Sequence, residues 1–144
     1  MKVRFLAAAA TVCSVMLLAI PVFGHHAVGG EYDASKPVSV TGTVTKIEWV
    51  NPHSRIYFDV VDPEGKVTNW SVELAARVVL ERMGWNGRSL KIGEKVTVRG
   101  DQARSGAPML NARAREQREL QASKGAPPEY PITRADGTPV LNDR

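Results

Sequence analysis

Three histidines are the residues of this chain best suited to chemistry: His25 and His26, side by side in FGHHAVGGEYD, and His53, in the turn VNPHSR. Neutral imidazole is the commonest biological nitrogen ligand for copper, nickel and zinc. If the chain is cut after Gly24, His25 gains a free α-amine, which together with its own ring can chelate a metal through two nitrogens. His26 or His53 can add a third, giving the tetragonal nitrogen field that suits Cu(II). The metal expectation is therefore copper held by His25, His26 and His53. The alternative is a solvated terminus hinged by VGG, with His53 a turn residue whose ring caps a carbonyl.

A cut at that place is what the first residues suggest. Lys2 and Arg4 open the chain, LAAAATVCSVMLLAIPVFG follows as an apolar run, and Pro21 precedes the small residues Val22 and Gly24. A positive start, an apolar middle and small residues at the end make a secretory signal. An uncleaved anchor is the alternative, since the run approaches the ~20 residues that span a bilayer. Its alanine content and Pro21 favour cleavage. The expected product is periplasmic or secreted, begins at His25 and has no membrane attachment. Cys13, the only cysteine, leaves with the signal, so neither a disulfide nor a thiolate metal site is expected.

Charge excludes one class of partner. Loss of Lys2 and Arg4 takes the basic residues from 19 to 17 against 15 acidic, and the formal charge from +4 to +2. A balance so close to neutral does not point to nucleic acid, and the basic cluster NARAREQREL alternates with Ala and Glu as one solvated face does. Catalytic signatures are missing too: no Gly-rich phosphate loop, no GxSxG, no HExxH and, in the mature chain, no CxxC. A binding module is expected rather than an enzyme.

The elements that must position the histidines are strands. VSVTGTVTKIEWV from Val38 alternates apolar and polar residues, but the parity shifts between Val44 and Ile47, which predicts one extra residue near Thr45 or Lys46 and a bulge. After NPHS, the segment SRIYFDVVD gives a second strand with Ile56, Phe58 and Val60 on one face. DPEGK is a turn, and VTNWSVEL a third strand with Trp70, Val72 and Leu74 inward. AARVVLERMG changes period: Ala76, Val79, Leu80 and Met83 line one face of a short helix that Gly84 ends. SLKIGEKVTVRG and MLNARAREQ supply two more strands around the loop RSGAP.

The fold expected is all-β with one short helix, an OB-fold-like five-stranded barrel in the order β-β-β-α-β-β. The divisions are a signal at 1–24, an N-terminal segment at 25–37, the barrel at 38–118 and a tail at 119–144. Proline, glycine and charge in that tail predict a flexible or surface-draped segment that adds nothing to the core. In OB-folds the outer face of strands two and three is the usual ligand surface, rimmed by the loops joining strands one to two and four to five. Asn51, Pro52, His53 and Arg55 fall in the first loop and Arg104 in the second, while Tyr57 has the outward parity of strand two. A second expectation is therefore a peptide, glycan, small molecule or partner protein bound there without metal. Trp49, Trp70 and Trp85 read as core or core-edge filler.

These residues resemble a known group. HHAVGGEYD after a signal, VTGTVTKIEWVNPH, a strand ending in NWSVEL, a helix ending in GW, and LKIGEKVTVRG are similar to an uncharacterised family of short secreted bacterial proteins, known only as a domain of unknown function. The resemblance runs from about Gly24 to Arg115. It implies a periplasmic or secreted barrel with the signal ending immediately before the HH pair, and it marks His25, His26, Asn51, Pro52 and His53 as characteristic residues. It brings no activity with it, and the tail after Leu120 lies outside it.

Overall fold

A computed structural model describes residues 28–112, 124–125 and 130–140. One helical turn, α1 (Val28–Glu31), leads directly into β1 (Tyr32–Glu48), followed by β2 (Arg55–Val61), β3 (Val67–Glu73), the helix α2 (Arg77–Arg82), β4 (Lys95–Ala103) and β5 (Met109–Asn111). These five strands close into a barrel in the order β1-β2-β3-β5-β4, with β4 returning to β1. All neighbours are antiparallel except β3 and β5. The order β-β-β-α-β-β and the closed mixed barrel are those the alternation predicts.

Closure depends on β1 serving two ladders. From Tyr32 to Thr43 it pairs with β4, and from Thr43 to Glu48 with β2. The β2 register jumps from Val44↔Phe58 to Lys46↔Tyr57, so Thr45 is the extra residue that the parity shift announces. A bulge increases local twist and bends the strand, which lets a single strand turn from one neighbour to the other. Gly42 makes the bend possible at close quarters, because a Cβ there would lie 2.5 Å from the Asp59 carbonyl oxygen and 2.8 Å from the Phe58 ring.

Inward residues of each strand form one core. Val44, Ile56, Phe58, Val72, Val96, Val98 and Leu110 are each at most 1% exposed, and Leu80 of α2 is buried in the same cluster. Trp85 is buried at 3% exposure and meets Trp49 at 5.5 Å between ring centroids, while Trp70 packs at the core edge. The tryptophans thus fill the core and its rim.

The tail departs from expectation over residues 130–140. A sixth strand, β6 (Ile132–Arg134), pairs with Val96–Val98 of β4. Ile132 and Val140 are buried in the core, and the Trp85 indole donates to the Val140 carbonyl at 2.7 Å. Arg134 fastens the segment: its Nε donates to Glu94 Oε1 at 2.8 Å, its Nη1 to the Pro139 carbonyl at 3.1 Å and its Nη2 to the Ser89 carbonyl at 2.7 Å. Proline and glycine in the segment shape a turn around a few buried apolar residues, so composition alone misjudged it.

Candidate functional site

The loop between β1 and β2 is fixed by its last residue. Ser54 is only 1% exposed; its amide donates to the Ala75 carbonyl at 3.2 Å, its own carbonyl accepts from the Leu74 amide at 2.9 Å, and its hydroxyl donates to the Val50 carbonyl at 3.2 Å. The Asn51–Pro52 bond within the loop is cis. Ser54 therefore locks the loop to the end of β3, and His53 leaves it beside that strand.

Glu73 is the residue it meets. Arg55 and Glu73 are direct cross-strand partners, which puts their side chains on one face of the sheet, opposite to Ile56 and Val72. Arg55 Nη2 donates to Glu73 Oε2 at 2.9 Å, and the Tyr32 hydroxyl donates to the same oxygen at 3.4 Å. His53 Nδ1 lies 2.8 Å from the other oxygen, Oε1. Both carboxylate oxygens thus have partners, from the loop, from β2 and from the first residue of β1.

Burial makes these contacts matter. The Glu73 side chain is 9% exposed, against 32% for Arg55 and 44% for His53. A carboxylate taken from water needs charge and hydrogen bonds in compensation; Arg55 and Tyr32 donate to it, and His53 Nδ1 lies close by. Tyr32 is pushed up to about 12, first by burial and next by the negative charge of Glu73. It stays a phenol, and hence a donor, across the ordinary pH range.

The remaining expected residues are placed as follows. Asn51 and Pro52 are exposed in the same loop as His53, and Arg55 joins the Glu73 cluster. Tyr57 keeps its outward parity, but its hydroxyl donates to Glu48 Oε2 at 3.0 Å and Lys46 Nζ sits 5.1 Å from its ring centroid. One face of the ring is therefore already covered by a cation. Arg104 lies in the turn after β4, where its backbone amide donates to the Glu31 carbonyl at 2.9 Å and ties down the start of β1. Asp33 beside it is held below the usual carboxylate range, chiefly by the Ser35 hydroxyl and amide and less by the Arg104 charge. His25 and His26 lie outside the described residues, among which no group of three or more His, Cys, Asp or Glu is gathered around a metal-sized space.

Sequence reasoning missed Glu73 and Tyr32. In NWSVEL the alternation assigns Asn69, Ser71 and Glu73 to the solvated side of β3, yet Ser71 and Glu73 are both buried. The signal available was an acidic residue opposite Arg55 in a hairpin whose turn, DPEGK, sets the register.

A family model, the family of unknown function DUF6152, matches residues 12–110. The chain belongs to this family. The matched stretch takes in all three histidines together with Tyr32, Arg55 and Glu73, and stops before β6. The barrel cluster is thus within the family's domain, while the segment fastened by Arg134 lies beyond the match. No curated protein and no solved structure matches the chain.

Proposed function

We propose that this protein is a small periplasmic or secreted binding module that captures a transition metal, copper above others, through the mature N-terminus at His25, with His26 and with Nε2 of His53. The observation carrying this reading is the His53–Glu73 contact at 2.8 Å. A carboxylate can only accept hydrogen bonds, so a hydrogen held between the two belongs to Nδ1, which leaves the lone pair of Nε2 for a metal. Histidines that ligate metals commonly have their other ring nitrogen held in this way.

Chain reach supports a joint site. Tyr32, six residues after His26, touches the same carboxylate as His53.

The test is a Cu(II) titration of protein whose N-terminus has been established as His25 by intact mass, followed by electron paramagnetic resonance. Nitrogen hyperfine structure that His53→Ala alters, together with an affinity at least tenfold weaker in that variant, is expected. A wild-type spectrum matching that of the His25→Ala, His26→Ala double variant would remove the reading and leave the barrel as a metal-free binding surface around Asn51, Pro52 and Arg55.

A further inference from the structure

We propose that the β1–β4 flank of the barrel carries a second binding site, a cleft for a small organic carboxylate with an aromatic body, walled on one side by the segment that runs into β6. It is independent of the metal reading, since it shares no residue with the His53 loop or with the Glu73 cluster.

The cleft arises where β4 changes neighbours. Along one edge β4 pairs with β1; along the other it pairs with β6 over Val96–Val98 and with β5 at Asp101 and Gln102. Arg99 and Gly100 fall between those two partners. Arg99 sits opposite Ser39 of β1, and its amide donates to the Pro131 carbonyl at 2.7 Å, so Ser39, Arg99 and Pro131 form one row across three segments. Gly100 has no room for a side chain, because a Cβ would lie 2.5 Å from the Asn111 carbonyl oxygen. The backbone of β4 is thus pressed towards β5 just beyond the end of its β6 ladder, and an open space of about 390 Å³ is left between Pro37–Ser39 and Tyr130–Pro131. That volume is at the small end of ligand pockets, which run from ~300 to ~1,000 Å³.

The lining selects the ligand. Pro37, Val38, Tyr130 and Pro131 bring apolar and aromatic surface, and the two prolines, with fixed φ and no amide hydrogen, make stiff rims. Ser39 and Arg99, as direct cross-strand partners, bring a hydroxyl and a guanidinium to one face. A guanidinium fork matches a carboxylate through two parallel N–H donors, and its five donors leave an edge for a ligand whichever neighbour takes the other. No acidic side chain lines the cleft; Asp101, the next outward residue of β4, is 2% exposed and stands outside it. Charge therefore favours an anion, and the walls favour one with a ring that can lie against tyrosine and proline. Tyr130 and Pro131 follow the stretch matched by the family model, so this wall is built by the part of the chain beyond the family's domain.

Benzoate is the probe. Titrated into the whole chain and followed by nitrogen-15 amide correlation spectra, it is expected to shift the amides of Ser39, Arg99 and Gly100 with half-saturation at about 1 mM. Benzyl alcohol, which keeps the ring without the charge, and inorganic phosphate, which keeps charge without the ring, should each bind roughly tenfold more weakly or worse. Arg99→Gln should weaken benzoate by about tenfold, and Tyr130→Ala by about threefold. Arg99 is exposed, so its replacement leaves the barrel folded, which the same spectra verify. Absence of shifts at these amides at ten times the expected half-saturation would overturn the proposal. Benzyl alcohol binding as well as benzoate, or Arg99→Gln binding like wild type, would overturn it by removing the arginine from the site. Phosphate binding as well as benzoate would overturn it by removing the walls. None of these outcomes bears on the copper titration of His53→Ala, so the two sites stand or fall separately.

Discussion

Arg55 and Arg134 each meet a glutamate of a neighbouring segment, at 2.9 Å to Glu73 and at 2.8 Å to Glu94. Their exposures are nearly equal, 32% and 31%, so the arginines do not distinguish the two places. Their partners do. Glu94 is 27% exposed and shares Arg134 with two backbone carbonyls, so that the arginine's fork serves to fasten β6 and its turn. Glu73 is 9% exposed and gathers side chains instead, among them a histidine with one ring nitrogen unaccounted for. The same ion pair fastens a strand in one place and gathers side chains around a buried carboxylate in the other.

The sharpest way to break this comparison is Arg55→Ala. It strands a buried carboxylate, and a cost of about 2–4 kcal/mol is expected, below the full value for a wholly buried pair because Arg55 is partly solvated. Urea unfolding of Arg55→Ala beside wild type reads it, and a change under ~0.5 kcal/mol would mean that Glu73 is not held as described. Arg134→Ala should cost less, about 1–3 kcal/mol, since its partners are less buried and their freed carbonyls can find water. Its distinguishing result is that copper affinity stays unchanged while the indole of Trp85, which donates to Val140, gains solvent exposure in fluorescence. A fall in copper affinity with Arg134→Ala would erase the contrast between the two pairs.

A finer test uses pH. Burial and Glu73 raise Tyr32 from 10.0 to about 12, so the folded state retains a proton that the unfolded chain releases. The stability this contributes is complete below pH 10 and is lost as pH rises through about 12. Wild type should therefore lose stability over that window more steeply than Tyr32→Phe, measured by chemical unfolding at a series of pH values. Equal slopes would place Tyr32 away from the Glu73 charge.

Much of the barrel was legible because its strands are long and half-buried. Val38 to Trp49 shows both the alternation and the break in parity, and the break is where Thr45 falls out of register with β2. Gly84 and Gly93 mark real turns, each with positive φ. What stayed hidden is what depends on contacts distant in sequence. Three residues, Ile132–Arg134, are too few for a period, and their burial is set by Trp85 and β4 rather than by their neighbours. Glu73 reads as a solvated strand residue until Tyr32, the first residue of β1, is brought over it. His53, Asn51 and Pro52 were legible as a rigid turn, whereas the partner of His53 was not.

The course of β1 gives the Glu73 contacts a further meaning. The strand begins at Tyr32, passes along β4, crosses to β2 at its bulge and ends just before the loop that carries His53. Its first residue, and the loop that follows its last, both arrive at one carboxylate. Glu73 therefore works as a clasp, a non-covalent counterpart of the cross-link a disulfide makes, and the only cysteine of the chain, Cys13, lies outside the loop it closes. Unlike a disulfide, such a clasp needs no oxidant to form and no reductant to open.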